Sequence, residues 1–194
     1  MPASTVSICS NALLLLGDKP ISDFSENNDR TRIVSNIYSY KRDRVLRLHP
    51  WNCATKRVIL SPTTEPPNFG WSYQFILPGD WLRTLSVGLE GAPEDFASEV
   101  DNSGNKVILM NNKVCRLRYI WRNDVESSWD SLLVDVMTQI MVAALTYPIT
   151  RSTTKQATEE EIVKAVLKTS RTVDGQEETP QTLGDFPLLA NRMR

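Results

Sequence analysis

With 194 residues, of which 41% are hydrophobic and 23% charged, the chain has the composition of a globular protein and enough length for one large domain or two small ones. The formal net charge of −1 excludes a general electrostatic attraction to nucleic acid or to anionic lipid. The three cysteines are scattered, and uninterrupted apolar runs such as residues 12–16 are far shorter than the roughly 20 residues that span a bilayer. We therefore expect a soluble protein of a reducing compartment, without disulfides, a membrane span or a secretory signal.

Two helices are predicted at the start of the chain. Residues 4–16 can be capped by Ser4 or Thr5, and Gly17 provides a left-handed stop. Residues 28–48 follow a polar loop and end before Pro50, which disfavours helical torsion angles at His49. The expected helix faces are Ile8, Cys9, Ala12, Leu13, Leu15 and Leu16 in the first helix, and Val34, Ile37, Tyr38, Lys41, Val45 and Leu48 in the second.

The second helix also carries a basic face. Asp29 and Asp43 interrupt this face, which favours a solvated or subunit-facing surface over a nucleic-acid site. A DNA-binding module remains an alternative, and it would use Arg42, Arg44 and Arg47. The whole basic set is Arg30, Arg32, Lys41, Arg42, Arg44 and Arg47.

The helical part gives way to a β part at His49, Pro50 and Trp51. β-Branched residues follow in the segment 55–60, so two layers are expected to meet at this point. We expect a structural joint here, with Trp51 mostly buried between the two layers. His49 is the only histidine, and with Cys53 it supplies two ligands where zinc needs three or four, so both residues are interpreted as packing residues.

The middle of the chain, residues 53–122, predicts antiparallel strands. Trp71, Tyr73, Phe75 and Leu77 alternate with smaller or polar residues, and Leu85, Val87 and Leu89 resume this alternation after a Pro-Gly-Asp turn. Residues 106–110 and 114–121 flank a short Asn-Asn-Lys loop and are expected to form a hairpin. Residues 61–69 and 90–104 lack periodicity and are expected to be long loops.

Two further helices are predicted after residue 123. The first, residues 129–147, can be capped by Ser127 or Ser128 and ends at Pro148; the second, residues 152–174, ends at Gly175. Together with the strands they indicate an α+β fold. The expected faces are Leu132, Leu133, Val136, Ile140, Ala143, Ala144 and Tyr147 in the first helix, and Ile162, Ala165, Val166, Thr169 and Val173 in the second.

Motifs for chemistry are weak throughout the sequence. The glycines are dispersed and none has the spacing of a phosphate-binding loop. Glu94, Asp95, Glu99 and Asp101 lie together in a predicted loop, and a glycan hydrolase using Glu94 or Glu99 is a second alternative. We expect no enzymatic activity and no cofactor or metal. The residues alone thus indicate a structural or interaction module.

Six segments together resemble the tail tubular protein A family, the head-to-tail connector or adaptor proteins of tailed bacteriophages. The most specific segments are 44–54 (RVLRLHPWNCA) and 67–73 (PNFGWSY). The others are 7–17 (SICSNALLLLG) with Pro20 and Ile21, 77–83 (LPGDWLR), 117–120 (LRYI) and 144–150 (ALTYPIT), in the order expected from the family.

This resemblance implies a helical bundle with an antiparallel β-domain inserted between the second and third long helices. The helical domain would comprise residues 1–51 and 124–175, the β-domain residues 52–123, and an extended C-terminal tail residues 176–194. The resemblance further implies a homo-oligomeric ring, typically twelve-fold, beneath the portal of the virion. The ring would be assembled in the host cytoplasm, join the portal to the tail nozzle or neck, and leave a channel through which DNA passes without specific binding.

The C-terminal tail is expected to dock onto the portal protein. Phe186, Leu188 and Leu189 form an apolar cluster with no helical or strand pattern, which suits burial in a groove of another subunit. Arg192 and Arg194 add charges that can pair with acidic groups at the rim of that groove. Family members use extended C-terminal segments in this way, and the resemblance carries the role over to these residues.

Overall fold

The structure, a computed structural model, describes residues 3–89 and 91–177. Within them lie four α-helices and two antiparallel sheets, so the α+β prediction is confirmed. The helices are α1 (Thr5–Leu15), α2 (Asp29–Leu48), α3 (Ser131–Thr150) and α4 (Thr153–Gln176). The strands are β1 (Thr55–Leu60), β2 (Tyr73–Ile76), β3 (Trp81–Leu89), β4 (Ala92–Pro93), β5 (Ala97–Val100), β6 (Lys106–Met110) and β7 (Cys115–Trp121).

Each helix begins at a polar residue whose side chain accepts a backbone N–H of the first turn. Ser4 forms a capping box with Ser7 at the start of α1, as the sequence predicts. Asn28 caps α2 and Ser152 caps α4. The expectation that Ser127 or Ser128 caps α3 is wrong: Asp130 accepts the Leu132 N–H at 2.7 Å, while residues 126–128 form a short 3₁₀ turn.

Helix α3 is the central helix of the fold and packs against α1, α2 and α4. Its length and mean hydropathy of 1.6 would suffice to cross a membrane, yet half of it is buried within the protein, as in the core helix of a globular fold. It does not end at Pro148 as expected, but continues to Thr150. Proline removes one backbone donor near the helix end without stopping the last turn, and Arg151, at φ 59°, ends the helix in a left-handed conformation.

All four predicted helix faces differ in part from the observed ones. Leu48 of α2 is 41% exposed and Tyr147 of α3 is 46% exposed, although both belong to the predicted faces. In α1, Leu15 is 59% exposed, and it borders an open groove of about 510 Å³ between α1 and α3. In α4, Ser170 is buried and Val166 and Leu167 pack against the core, whereas Ile162 is exposed. Val173 is likewise exposed. The stripe that packs on α3 is therefore rotated from the predicted one.

The strands form a four-stranded sheet in the order β1-β7-β3-β4 and a three-stranded sheet in the order β2-β6-β5. The hairpin predicted from residues 106–110 and 114–121 is therefore wrong: β6 pairs with β2 and β5, and β7 pairs with β1 and β3, so the Asn-Asn-Lys loop connects the two sheets. The two sheets share a hydrophobic cluster to which both contribute buried side chains. The cluster comprises Phe75, Leu77, Val87, Ile108, Met110, Cys115, Leu117 and Tyr119, so the alternation predicted for 71–77 is confirmed. The alternation predicted for Leu85, Val87 and Leu89 is wrong in part, because Leu89 is 60% exposed and Leu85 packs against the hydrophobic cluster of the helices.

The prediction of a long loop over 90–104 is wrong, because β4 and β5 lie within it. Strand β5 has one half-buried residue followed by three exposed ones, so it lacks the hydrophobic alternation by which strands are recognised. Backbone pairing with β6 holds it in place. Gly88, with φ 104°, allows the tight return from β3 to β4, since a Cβ atom there would lie 2.7 Å from the Ala92 carbonyl oxygen.

Candidate functional site

The residues that connect α2 to β1 form the best-defined polar and aromatic cluster of the helical part. After Leu48 the backbone becomes extended at His49, as expected before a proline. Trp51 is 1% exposed, and its indole N–H donates to the Val45 carbonyl at 3.2 Å. It belongs to the same buried cluster as Leu82 and Ile120 of the sheet, so the prediction that Trp51 is buried between helices and strands is confirmed.

The last turns of α4 lie against this connection. Four residues hold the two together, namely His49 and Asn52 of the connection and Arg171 and Asp174 of α4, and we call them the junction clamp. The His49 Nε2 atom lies 2.8 Å from Asp174 Oδ2, and the His49 ring meets Trp51 edge to face with centroids 4.8 Å apart. The Asn52 backbone N–H donates to Asp174 Oδ1 at 3.3 Å, and Arg171 donates to the Leu48 carbonyl at 3.1 Å.

The contact at the centre of the junction clamp is shielded from water. The His49 and Asp174 side chains are 17% and 11% exposed, so water weakens their hydrogen bond less than it weakens an exposed one, whereas Asn52 is exposed. Both Asp174 oxygens have partners across the junction, which holds the last turns of α4 against it. Asp174 and Arg171 were not singled out from the sequence, because they stand more than 120 residues away from His49 and no local pattern marks them.

Further contacts join α2 to the four-stranded sheet beside the clamp. Arg122 donates to Asp43 at 2.9 Å, and Arg83 donates to the Arg47 carbonyl at 2.8 Å. In the sheet itself, Lys56 lies 3.4 Å from the Trp121 ring centroid and 2.9 Å from an Asp80 carboxylate oxygen. Arg122 and Arg83 thus connect the β part to α2 through hydrogen bonds from charged groups.

A buried carboxylate connects the two N-terminal helices to the segment before α3. Glu126 is 8% exposed and accepts hydrogen bonds from the Thr5 hydroxyl at 2.8 Å and the Tyr38 hydroxyl at 3.0 Å. Burial, together with the nearby Glu126 charge, raises the pKa of the Cys9 thiol to about 12. Cys9 is therefore protonated and unreactive at neutral pH, in line with a packing role.

Three of the six basic residues on α2 pair with neighbouring acids. Arg30 forms a bidentate pair with Asp18, with both N–O distances 2.7 Å, and this pair holds the pKa of the Asp18 carboxyl below its usual range. Arg32 pairs with Asp29. Arg42 pairs with Asp43, whereas Arg44 and Arg47 are exposed. Local ion pairs thus interrupt the basic face, and its exposed cationic part is at Arg44 and Arg47.

The acidic residues considered for glycan hydrolysis lie on the β part, away from the grooves described between helices. Glu94 accepts from the Asn112 amide at 3.3 Å, and Glu99 lies on β5 opposite Val107. Asp101 closes the turn from β5 to β6: it accepts from the Asn105 amide and from the Ser103 and Asn105 backbone N–H groups, which lowers the pKa of its carboxyl. Of the described residues, none belong to a cluster of three or more potential metal ligands.

The predicted portal-docking residues of the C-terminal tail, Phe186, Leu188, Leu189, Arg192 and Arg194, lie outside the described residues. The described chain ends at Glu177, directly after α4 and three residues beyond Asp174. The junction clamp therefore fixes the point from which the tail starts.

No protein-family model matches this chain, and comparison with curated proteins finds no significant match. A functional assignment therefore depends on the resemblance in the sequence and on the geometry of the junction.

The His49–Asp174 contact can be measured by a double-mutant cycle. We expect His49→Ala and Asp174→Ala each to lower the free energy of unfolding by about 1–2 kcal/mol, with a coupling of about 1 kcal/mol between them. Glu161→Ala provides the control, because Glu161 pairs with Lys164 on the same helix but both side chains are more than 70% exposed. Its effect should stay within about 0.5 kcal/mol in denaturant titrations. Zero coupling between His49 and Asp174 would contradict the clamp.

Proposed function

We propose that this protein is a structural head-to-tail adaptor of a tailed bacteriophage. In this proposal copies of the chain form a ring under the portal protein, with the twelve-fold symmetry typical of the family it resembles. The ring joins the portal to the tail nozzle or neck and leaves a channel through which DNA passes. The protein is assembled in the host cytoplasm and functions in the virion, without catalysis, cofactor or membrane.

The junction at Trp51 is the observation that carries this proposal. A connector between two large assemblies has to hold its binding surfaces at fixed angles, and here the helices and the sheet are joined by a buried tryptophan and the junction clamp. The same segment, residues 44–54, is among the most specific parts of the resemblance to the adaptor family. Fold and resemblance thus single out the same residues for different reasons.

The domain arrangement in the proposal follows the chain order. The helical domain, residues 1–51 and 124–175, would hold the portal side, and residues 52–123 would be a β-domain inserted between the second and third long helices. Supporting this division, the buried residues form two clusters, one centred on the helices and one between the sheets. Leu82 and Ile120, at the helix-facing end of the sheet, belong to the helical cluster and would act as the contact between the domains.

The C-terminal tail would bind the portal. It follows α4, whose last turns the junction clamp holds, and the apolar residues Phe186, Leu188 and Leu189 lie about ten residues further along the sequence. A segment of that length can reach on the order of 30 Å when extended, which is sufficient to bridge to a neighbouring protein.

Electron microscopy of the protein mixed with the portal protein of the same phage tests the proposal. We expect a ring of copies bound to one face of the portal, with an open axial channel. Equal mixtures with a portal from an unrelated phage serve as the control. If the protein and its portal remain separate particles under conditions in which the portal itself is intact, the adaptor function is wrong.

A further inference from the structure

The two sheets each end in a strand with an unpaired outer edge. Strand β1 pairs only with β7, and β5 pairs only with β6, among the described residues. An open edge presents unpaired backbone donors and acceptors to other chains, and monomeric proteins protect such edges with lysine, proline or bulges. Neither edge is protected in that way. Lys56 of β1 turns to Asp80 and Trp121, and β5 contains neither lysine nor proline.

The side chains on these two edges are unusually exposed. Among the described leucine, isoleucine and valine residues, the two most exposed are Ile59, at 69%, and Val100, at 64%. One lies on each free edge strand, Ile59 on β1 and Val100 on β5. Exposed aliphatic side chains gain by burial, and their placement on both open edges favours a protein partner at each edge over solvent.

The two edges carry opposite charges. Arg57 of β1 lies opposite Arg118 of β7, and Ile59 lies opposite Arg116, so three arginines share one face beside the β1 edge. The segment containing β5, residues 92–105, has four acidic residues and no basic ones. The acidic residues are Glu94, Asp95, Glu99 and Asp101. The acidic β5 edge therefore complements the basic β1 edge. Each chain has both edges, so the β1 edge of one copy can bind the β5 edge of another copy.

The two edges lie on different sides of the molecule. In the four-stranded sheet β1 and β4 are at opposite ends, and only residues 94–96 separate β4 from β5. A connection of this length spans on the order of 10 Å, which keeps β5 on the β4 side and away from β1. One chain therefore cannot pair its own two edges, whereas two copies can do so head to tail.

We propose that the β1 edge of one copy pairs with the β5 edge of the next. In an antiparallel register that places Arg57 opposite Glu99, Ile59 lies opposite Ala97, and the Ile59 side chain is covered by the neighbouring strand. Such a contact uses two different surfaces of each copy, so it propagates and closes into a ring when the rotation between copies permits. The inference rests on the proposed ring and identifies the strands that would build it.

Charge reversal tests the pairing with the full-length chain. Arg57→Glu and Glu99→Arg should each weaken self-association, measured by sedimentation, by about tenfold, and the combined variant should recover most of it. The melting temperature should stay unchanged in all three, because both side chains are exposed. Lys168→Glu is the matched control, since it makes the same charge change at an exposed position on α4.

Cysteine cross-linking gives a second readout that detects weak association. In a Cys53→Ala background, chains with Ile59→Cys are mixed with chains carrying Ala97→Cys, the position opposite Ile59 in this register, and disulfide-linked pairs should form faster than with Leu15→Cys, an exposed position on α1. If the wild-type protein assembles but the charge variants assemble equally well, the edge pairing is wrong and the ring stands. Cross-linking no faster than the control also overturns the pairing. The proposed ring itself would be wrong only if complexes with the portal protein contain a single copy of this chain.

Discussion

We expect Trp51→Ala to lower the free energy of unfolding by about 3–5 kcal/mol, the largest loss for any single substitution that we predict. The indole is 1% exposed and packs in the cluster that the helices share with Leu82 and Ile120. Truncation removes the hydrogen bond to the Val45 carbonyl and leaves a cavity where the helices meet the sheet. The cavity cannot close by a movement of either part, because such a movement would break the hydrogen bonds between α2 and the sheet.

Denaturant titration followed by circular dichroism gives this value directly. Phe69→Ala is the control, because it removes a large aromatic ring that is 86% exposed and should change the stability by less than about 0.5 kcal/mol. Trp51→Phe should recover part of the loss, since a smaller ring fills part of the same space. A Trp51→Ala variant that melts like the wild type would show that the joint is not structural.

Removal of residues 178–194 should abolish portal binding and leave the melting temperature of the isolated protein nearly unchanged. The truncation retains every described contact, including those of Asp174 in the junction clamp. Ordering a tail costs about 1–2 kcal/mol per residue, so the binding must come from the burial of the apolar residues. Binding to immobilised portal and differential scanning calorimetry measure the two effects separately.

Point variants divide the contribution of the tail between burial and charge. Combined replacement of Phe186, Leu188 and Leu189 by serine should reproduce the loss of binding, because the burial of each large apolar side chain is worth about 1.5–3 kcal/mol. Replacement of Arg192 and Arg194 by glutamine should weaken binding less and reduce its dependence on salt. A truncated protein that binds the portal with undiminished affinity excludes the tail as the docking element.

The helices and most strands could be predicted because their signals are local. Caps such as Ser4 and Asn28, and the alternation over residues 115–121, depend only on neighbouring residues. The face of α4 could not be predicted in the same way. Val166 and Ile162 lie one turn apart on the predicted stripe, but Val166 packs against the core together with Leu167 while Ile162 is exposed, and only the position of the rest of the fold decides this.

The parts that escaped prediction depend on distant residues. Strand β5 has an exposed, acidic sequence and is recognisable only through its pairing with β6. Only part of the candidate site could be predicted. The helix break marks His49, Pro50 and Trp51 in the sequence, whereas no sequence signal marks Asp174, which the packing of α4 brings to His49. A hydrogen bond between residues 125 positions apart is a property of the fold and cannot be read from local periodicity.

The contact between Thr5 and Glu126 has a consequence for the order in which the protein is built. The partners of the first two helices stand beyond the strands in the sequence: Glu126 for Thr5 and Tyr38, and α3 for the remaining core. Residues 55–121, by contrast, contain all of their strand partners. During synthesis the strands can therefore pair as soon as residues 55–121 have left the ribosome. Helices α1 and α2 can complete their packing only after α3 has been translated, about a hundred residues later.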